Sequence, residues 1–404
     1  MEPGRKEDSM RKVVLATTAT AMLVASAAAP VAAQSDAEAL LGDLPEDLQA
    51  LYVGYPGEIT ASELADFAAV ETPWKICHSE SFQGNPWRVA VTNEMQRIAD
   101  EFAEAGKVSE FKVSDSNNDL QLQITQMQAF IDEGCDIITT IPGSGTGLDE
   151  VIANANEAGI PVVSFAGAVT SPYAVNVDSN WYGWGYDMGV GLGEGLGEGN
   201  IIVVEGIAGH PIVAQQADGL AAALAEHPGI NVAATVNGDW TPTTTKNVVT
   251  QTLATNPSEI AGVWTSGSET RLVTEAFSEA GRDVPLVTGS LTGDALGFWN
   301  ENPDGYRYTG NAVLPHPAAN SAIRVAFRIL DGQGPKLNTL LVPLPPVTMD
   351  DLGDWYGECM TPDSATVFPI APSDPYPEEM LDAYFQSGAA TDPYDYATTP
   401  DACG

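Results

Sequence analysis

Within five consecutive positions, Gly84-Asn85-Pro86-Trp87-Arg88 gathers side chains suited to a small polyhydroxylated ligand. Asn85 offers a donor and an acceptor, Arg88 a fork of donors, and Trp87 a flat apolar face with a polar edge. A sugar demands that mixture, because its hydroxyls require paired hydrogen bonds and its C–H faces favour an aromatic platform. As a purely structural feature, Asn85-Pro86 would turn the chain and Trp87 would fill the core. Other chemistries are less well served. Gly143-Ser-Gly-Thr-Gly147 departs from GxGxxG and lacks the lysine of a P-loop, so it reads as a turn rather than a phosphate cradle. His78, His210, His227 and His316 permit a Ser/His/Asp arrangement on paper, but no Gly-x-Ser-x-Gly elbow precedes a helix. In so acidic a chain, two carboxylates suitably placed for glycoside hydrolysis are expected by chance. No CxxC or His/Cys cluster has zinc spacing. The expectation is a binding protein with no catalytic residue, metal or cofactor.

The elements that must position these residues alternate every dozen positions. Trp74–His78 reads as a buried strand, Val89–Glu104 as a helix, Glu110–Val113 as a strand, and Leu120–Glu133 as a helix with Ile124, Met127, Phe130 and Ile131 on one face. Asp136–Ile141, a helix around Leu148–Ala158, and Ile160–Phe165 continue the series. It restarts at Asn200–Val204 and runs through helices at Ala214–Glu226, Thr244–Thr255 and Thr270–Ala280, with strands at Asn231–Val236, Gly262–Thr265 and Val284–Thr288. Strand–helix alternation implies parallel sheets with crossover helices, hence two α/β units. Between them Trp181–Leu196 reads as a glycine-weakened helix. Ligands of open α/β sheets bind beyond the carboxyl ends of the strands, which is where Asn85, Trp87 and Arg88 fall.

Of the 404 residues, 55 are Asp or Glu and 16 are Lys or Arg, a formal charge of −39. That balance excludes a phosphate-gripping nucleic-acid binder, while ample apolar content and few charges exclude wholesale disorder. Arg11-Lys12, the apolar run Val13–Ala29 and small residues ending at Ala33 read as a signal peptide cleaved after Ala33. A transmembrane anchor is the alternative, but threonines 17, 18 and 20 leave the run short of a span. The mature chain, at −40, is expected to be soluble and periplasmic or secreted. Cys359 and Cys403 bracket a Pro-, Asp- and Tyr-rich tail and are expected to pair. Cys77 and Cys135 are expected to remain buried free thiols, one near the end of its strand and the other at the start of a neighbouring one.

From Trp74 to about Leu344 the chain resembles the ribose-binding-protein-like sugar-binding proteins of ABC importers. The resemblance is carried by Gly84–Arg88, Asp119–Gln126, Glu133–Ile138, Ala158–Val163, Val177–Asn180 and Leu330-Asp-Gly332, in order and spacing. It implies two Rossmann-like lobes, each a parallel sheet flanked by helices, joined by a three-stranded hinge with the ligand between them. Position by position, it places Asn85 as a hydrogen-bonding residue and Trp87 and Trp240 as aromatics covering the two sugar faces. Phe165 and Ala166 fall where ribose binders carry Asp-Arg. Gln216 or Ala214 falls on an Arg, Gly267-Ser268 on an Asn-Asp pair, Ser290 on an Asp, and Val313 on a hinge-side Gln. Arg88, Gln215, Gln216, Ser268 and Ser290 would have to replace the missing charged groups, while His210 and Asn311 fall near the cleft. A deoxysugar, polyol or small sugar derivative fits this set as well as an ordinary pentose or hexose, and the cleft is expected to be nearly free of carboxylates.

The implied domains are signal peptide 1–33, N-terminal extension 34–73, lobe 1 from 74–178 plus 312–341, lobe 2 from 179–311, and a final crossing with Pro-rich tail, 342–404. The resemblance further implies a monomer that captures a sugar-like small molecule and, by hinge closure, presents it to an ABC permease served by a cytoplasmic ATPase, with no nucleic acid involved. A sensor read by a membrane receptor is the alternative and a secreted carbohydrate-active enzyme a weaker one. A transcription regulator of the same fold would need a basic DNA-binding segment at the N-terminus, where the sequence instead reads as a signal peptide followed by the acidic stretch Ser35–Glu71.

Overall fold

A computed structural model describes residues 31–391 and 393–403. All but the last three residues of the expected signal peptide lie outside this range. The extension forms α1 (Val31–Gly42) and α2 (Glu46–Leu51). The first sheet is laid down by β1 (Trp74–Glu80), α3 (Pro86–Glu104), β2 (Val108–Asp115), α4 (Leu120–Asp132), β3 (Ile137–Ile141), α5 (Asp149–Glu157), β4 (Val162–Phe165) and β5 (Ala174–Asp178). The second follows as α6 (Trp181–Leu196), β6 (Gly199–Glu205), α7 (Pro211–Glu226), β7 (Ile230–Asn237), α8 (Pro242–Thr255), β8 (Gly262–Thr265), α9 (Thr270–Glu279), β9 (Leu286–Gly289), α10 (Gly293–Glu301) and β10 (Tyr308–Asn311). Then come α11 (Pro315–Leu330), β11 (Thr339–Leu341), β12 (Pro346–Thr348), α12 (Leu352–Trp355) and α13 (Glu378–Ala383).

The strand orders are β11-β5-β4-β3-β1-β2 and β12-β10-β9-β8-β6-β7. All pairings are parallel except that of β10 with β12. Every residue of β3, β4 and β5 is buried, as a sheet covered by helices on both faces requires. The chain passes between the sheets at 179–180, 312–314 and 342–345. Local signals set the helices that face these crossings. Asn85 caps α3 by accepting from the Arg88 backbone N–H, with Pro86 at the first helical position.

The glycine alternation of α6 is explained by its partner. A Cβ on Gly185 would collide with the Gln216 backbone, and one on Gly219 with the Tyr182 carbonyl. The glycines thus allow α6 and α7 to cross backbone to backbone, which offsets their poor helix propensity.

Both cysteine pairs are disulfides. Cys359–Cys403 agrees with the sequence reading, at a Cα separation of 5.5 Å. Cys77–Cys135, at 6.0 Å, corrects it. Cys77 stands mid-strand in β1, and Cys135 precedes β3 in the turn leaving α4, where its N–H donates to the Phe130 carbonyl. That turn folds Cys135 back toward β1, so the offset inferred by treating it as a strand residue does not arise.

The extension and tail are packed. Leu44, Leu48, Tyr52 and Leu64 join the first-lobe core beside Tyr376, Leu381, Tyr384 and Phe385, whereas Leu352, Trp355, Met360 and Ala371 join that of the second lobe. No helix among the described residues is long and apolar enough to cross a membrane.

Candidate functional site

Residues at the carboxyl ends of strands from both sheets converge on a cavity of about 110 Å³. The start of α3 brings Asn85, Trp87 and Arg88 from the first lobe. The second contributes Trp181 and Trp184 from α6, Trp240 before α8, Ser268 and Glu269 before α9, and Thr292 and Asp294 at α10.

The aromatic frame is fixed by its polar edges. The Trp87 Nε1–H donates to the Val313 carbonyl at 3.0 Å. The Trp240 Nε1–H donates to Ser266 Oγ at 2.9 Å, and Ser266 Oγ–H in turn donates to Gln216 Oε1 at 2.5 Å. His210 meets the Trp240 ring edge-on, with centroids 4.8 Å apart. Trp240 (φ 48°) and Ala166 (φ 48°), both on the cavity, hold left-handed backbone conformations that non-glycine residues seldom adopt. Such local cost persists where the surroundings over-determine a functional geometry.

Arg88 bridges the lobes. Its guanidinium pairs with buried Glu80, donates to Ser81 Oγ at 3.2 Å, and donates to His210 Nε2 at 3.2 Å. Burial, reinforced by the Arg88 charge, holds His210 well below the usual histidine range and therefore neutral. With Nε2 accepting, the hydrogen-bond network assigns the ring proton to Nδ1, a buried donor with no partner among the described residues. The Thr292 hydroxyl is likewise buried and unpartnered.

Carboxylates enter the site, which corrects the expectation of a cleft nearly free of them. Glu269 and Asp294 both line it. Asp294 accepts from Arg271 at 2.8 Å. Burial, with Asp294 nearby acting in the same direction, pushes Glu269 up from 4.5 to about 7. Near neutrality its carboxyl is thus partly protonated and can donate or accept.

Of the residues singled out from sequence, Asn85, Trp87, Arg88, Ala166, His210, Trp240, Gly267, Ser268, Ser290 and Val313 line the cavity. The Ser290 hydroxyl, however, donates to the Val313 carbonyl and accepts from the Val313 N–H, so it ties the crossing together. Phe165 lies behind Ala166 and lines a smaller cavity beside the crossings. Gln216 sits behind Trp240, and Gln215 is half-buried away from the cavity. Asn311 donates to the Leu344 carbonyl at 2.9 Å, within the crossings. Trp181, Trp184, Glu269, Asp294 and Thr292 escaped notice, although the strand-end rule that singled out Asn85 applies equally to them. Phe368 and Ala365, from the tail, also line the cavity and carried no such signal.

Two α/β lobes around an interlobe cavity define a ligand-capturing protein of the periplasmic binding protein class. The family model described as periplasmic binding protein domain matches residues 78–334, and the chain belongs to that family. It is similar to the xylitol-binding protein of Mycolicibacterium smegmatis, with 26% identity over 258 residues, or 63% of this chain and 72% of that protein. Among solved structures, an ABC transporter solute binding protein from Thermobispora bispora superposes with a TM-score of 0.67 at 27% identity, covering 72% of this chain and 90% of that one. One from Mycobacterium smegmatis with bound glycerol gives 0.65 at 22% identity, covering 74% and 100%, a likeness of fold.

Proposed function

We propose that this protein is the extracytoplasmic solute-binding component of an ABC importer for a sugar or sugar-like molecule: a monosaccharide, a deoxysugar or a polyol. The observation that carries the reading is the interlobe position of Trp87 and Trp240, one from each lobe, on a cavity that Arg88, Ser268 and Glu269 also line. Indole faces take the C–H surface of a sugar ring or polyol chain. The Ser268 hydroxyl and the Glu269 carboxyl take its hydroxyls. The similarity to a xylitol-binding protein supports the same ligand class. Micromolar capture corresponds to about −8 kcal/mol, within reach of two aromatic contacts and a few satisfied hydrogen bonds.

Closure about the crossings removes water from the ligand and brings one surface of each lobe into the relation that a membrane permease reads. The cytoplasmic ATPase acts through that permease. The protein works as a monomer outside the cytoplasm, periplasmic or secreted, delivered by its signal peptide, and performs no chemistry on its cargo. Isothermal titration with xylitol, glycerol, D-ribose, D-allose and L-fucose tests this reading. Saturable heat with at least one of them is expected. No heat and no thermal shift with any of them refutes the sugar-like ligand.

A further inference from the structure

The residues beyond the family match complete the wall of the ligand cavity. Because Cys359 is bonded to Cys403, residues 359–403 form one closed loop. Its first part is seated on α10 of the second lobe, where the Gly293 N–H donates to the Val367 carbonyl at 2.8 Å. One turn further along, a Cβ on Gly297 would collide with the Thr361 backbone. Two glycines spaced by four thus form a smooth helix face on which the loop lies in backbone contact.

The loop then crosses to the first lobe. Arg324 on α11 donates to the Tyr376 carbonyl at 2.9 Å and pairs with Glu378 at 2.8 Å, while Arg328 pairs with Asp382. Tyr396, whose hydroxyl donates to the Ala371 carbonyl at 2.8 Å, and Ala402 bring it back to the second lobe. The tail therefore spans the interlobe boundary twice, in addition to the three crossings of the main chain.

Phe368 sits where the loop leaves the second lobe. It is only 4% exposed, yet among the described residues it belongs to none of the apolar clusters that make the two cores. What it lines is the cavity, together with Ala365. We propose that Phe368 contacts the bound ligand, and that the disulfide-closed tail, by holding this ring in the cavity, sets which ligand the cleft accepts. This rests on the ligand-capturing reading above. An apolar ring at that wall leaves a ligand hydroxyl on its side without a partner, and so discriminates against more fully hydroxylated compounds.

Isothermal titration with the same five compounds, on wild type and on Phe368→Ala, Phe368→Leu and Phe368→Trp, tests the assignment, with circular dichroism as the check of folding. For a compound that wild type binds, Phe368→Ala is expected to weaken binding about tenfold, or to move the preference toward a more hydroxylated compound. Should Phe368→Ala fail to fold, the Leu and Trp variants carry the comparison. Folded variants that bind every compound within about twofold of wild type overturn the proposal. If wild type binds none of the five, the sugar-like reading falls by itself, and acrylamide quenching of tryptophan fluorescence decides the tail's role. Removing the ring must then expose the cavity indoles and raise quenching, and unchanged quenching overturns it.

Discussion

Glu269→Gln isolates a buried carboxyl that faces the cavity. Its pKa in the folded protein is about 7 against an ordinary 4.5, with burial as the main cause. A raised acid binds its proton more tightly in the folded state, so its contribution to stability is fully present below about 4.5 and is lost as pH rises through about 7. At 1.36 kcal/mol per pH unit over that interval, ionised Glu269 costs about 3 kcal/mol at mildly alkaline pH. Glutamine keeps the shape and cannot ionise. The variant should therefore match wild type near pH 4.5 and exceed it by about 3 kcal/mol near pH 8. Other groups contribute to the wild-type profile. Asp178, also raised by burial, to about 6, acts in the same direction; His210 and His316, lowered by burial, act oppositely below the usual histidine range. All three remain in both proteins, so the difference between the two curves reports Glu269. Urea denaturation at several pH values across this interval measures it. Parallel curves for variant and wild type would refute the account of Glu269 as an ionisable group buried without a cation.

Two further outcomes follow from packing and charge. Gly219→Ala places a methyl against the Tyr182 carbonyl and should cost about 1–3 kcal/mol by urea denaturation, with no loss ruling out the close crossing of α6 and α7. Arg88→Met strands the buried Glu80 carboxylate and should cost about 3–5 kcal/mol, most of it recovered when Glu80→Gln is added. A loss that the second substitution fails to relieve would place the importance of Arg88 elsewhere.

The alternating layout was legible because buried parallel strands and amphipathic helices impose different periods on the same chain. Even the glycine-rich α6 was read as a helix, though the reason for its glycines, the proximity of α7, belongs to another segment. The lining of the cavity was legible where family resemblance and strand-end position coincided, at Asn85, Trp87, Arg88 and Trp240. It was misread at Gln216, because only the rotation of α7 decides whether a side chain meets the cavity or hides behind Trp240. Glu269 looked like one more acid in an acidic chain, since burial, which gives it significance, is a property of the assembled lobes. Cys135 failed for a related reason: a helix-terminal turn reorients one residue independently of strand register.

The segment that leads into β11 is flanked by two late additions to the two-lobe plan. From one side the extension pairs with it, Ser62 N–H donating to the Lys336 carbonyl and Asn338 N–H to the Thr60 carbonyl. From the other, Lys336 N–H donates to the Tyr384 carbonyl of the tail, and Gln386 N–H to Gly334. An open rim of a sheet is a template on which other chains can add strands, and in the segment leading into this three-residue strand the backbone groups of Gly334, Lys336 and Asn338 are already taken. Extension and tail therefore leave those backbone groups unavailable to another chain.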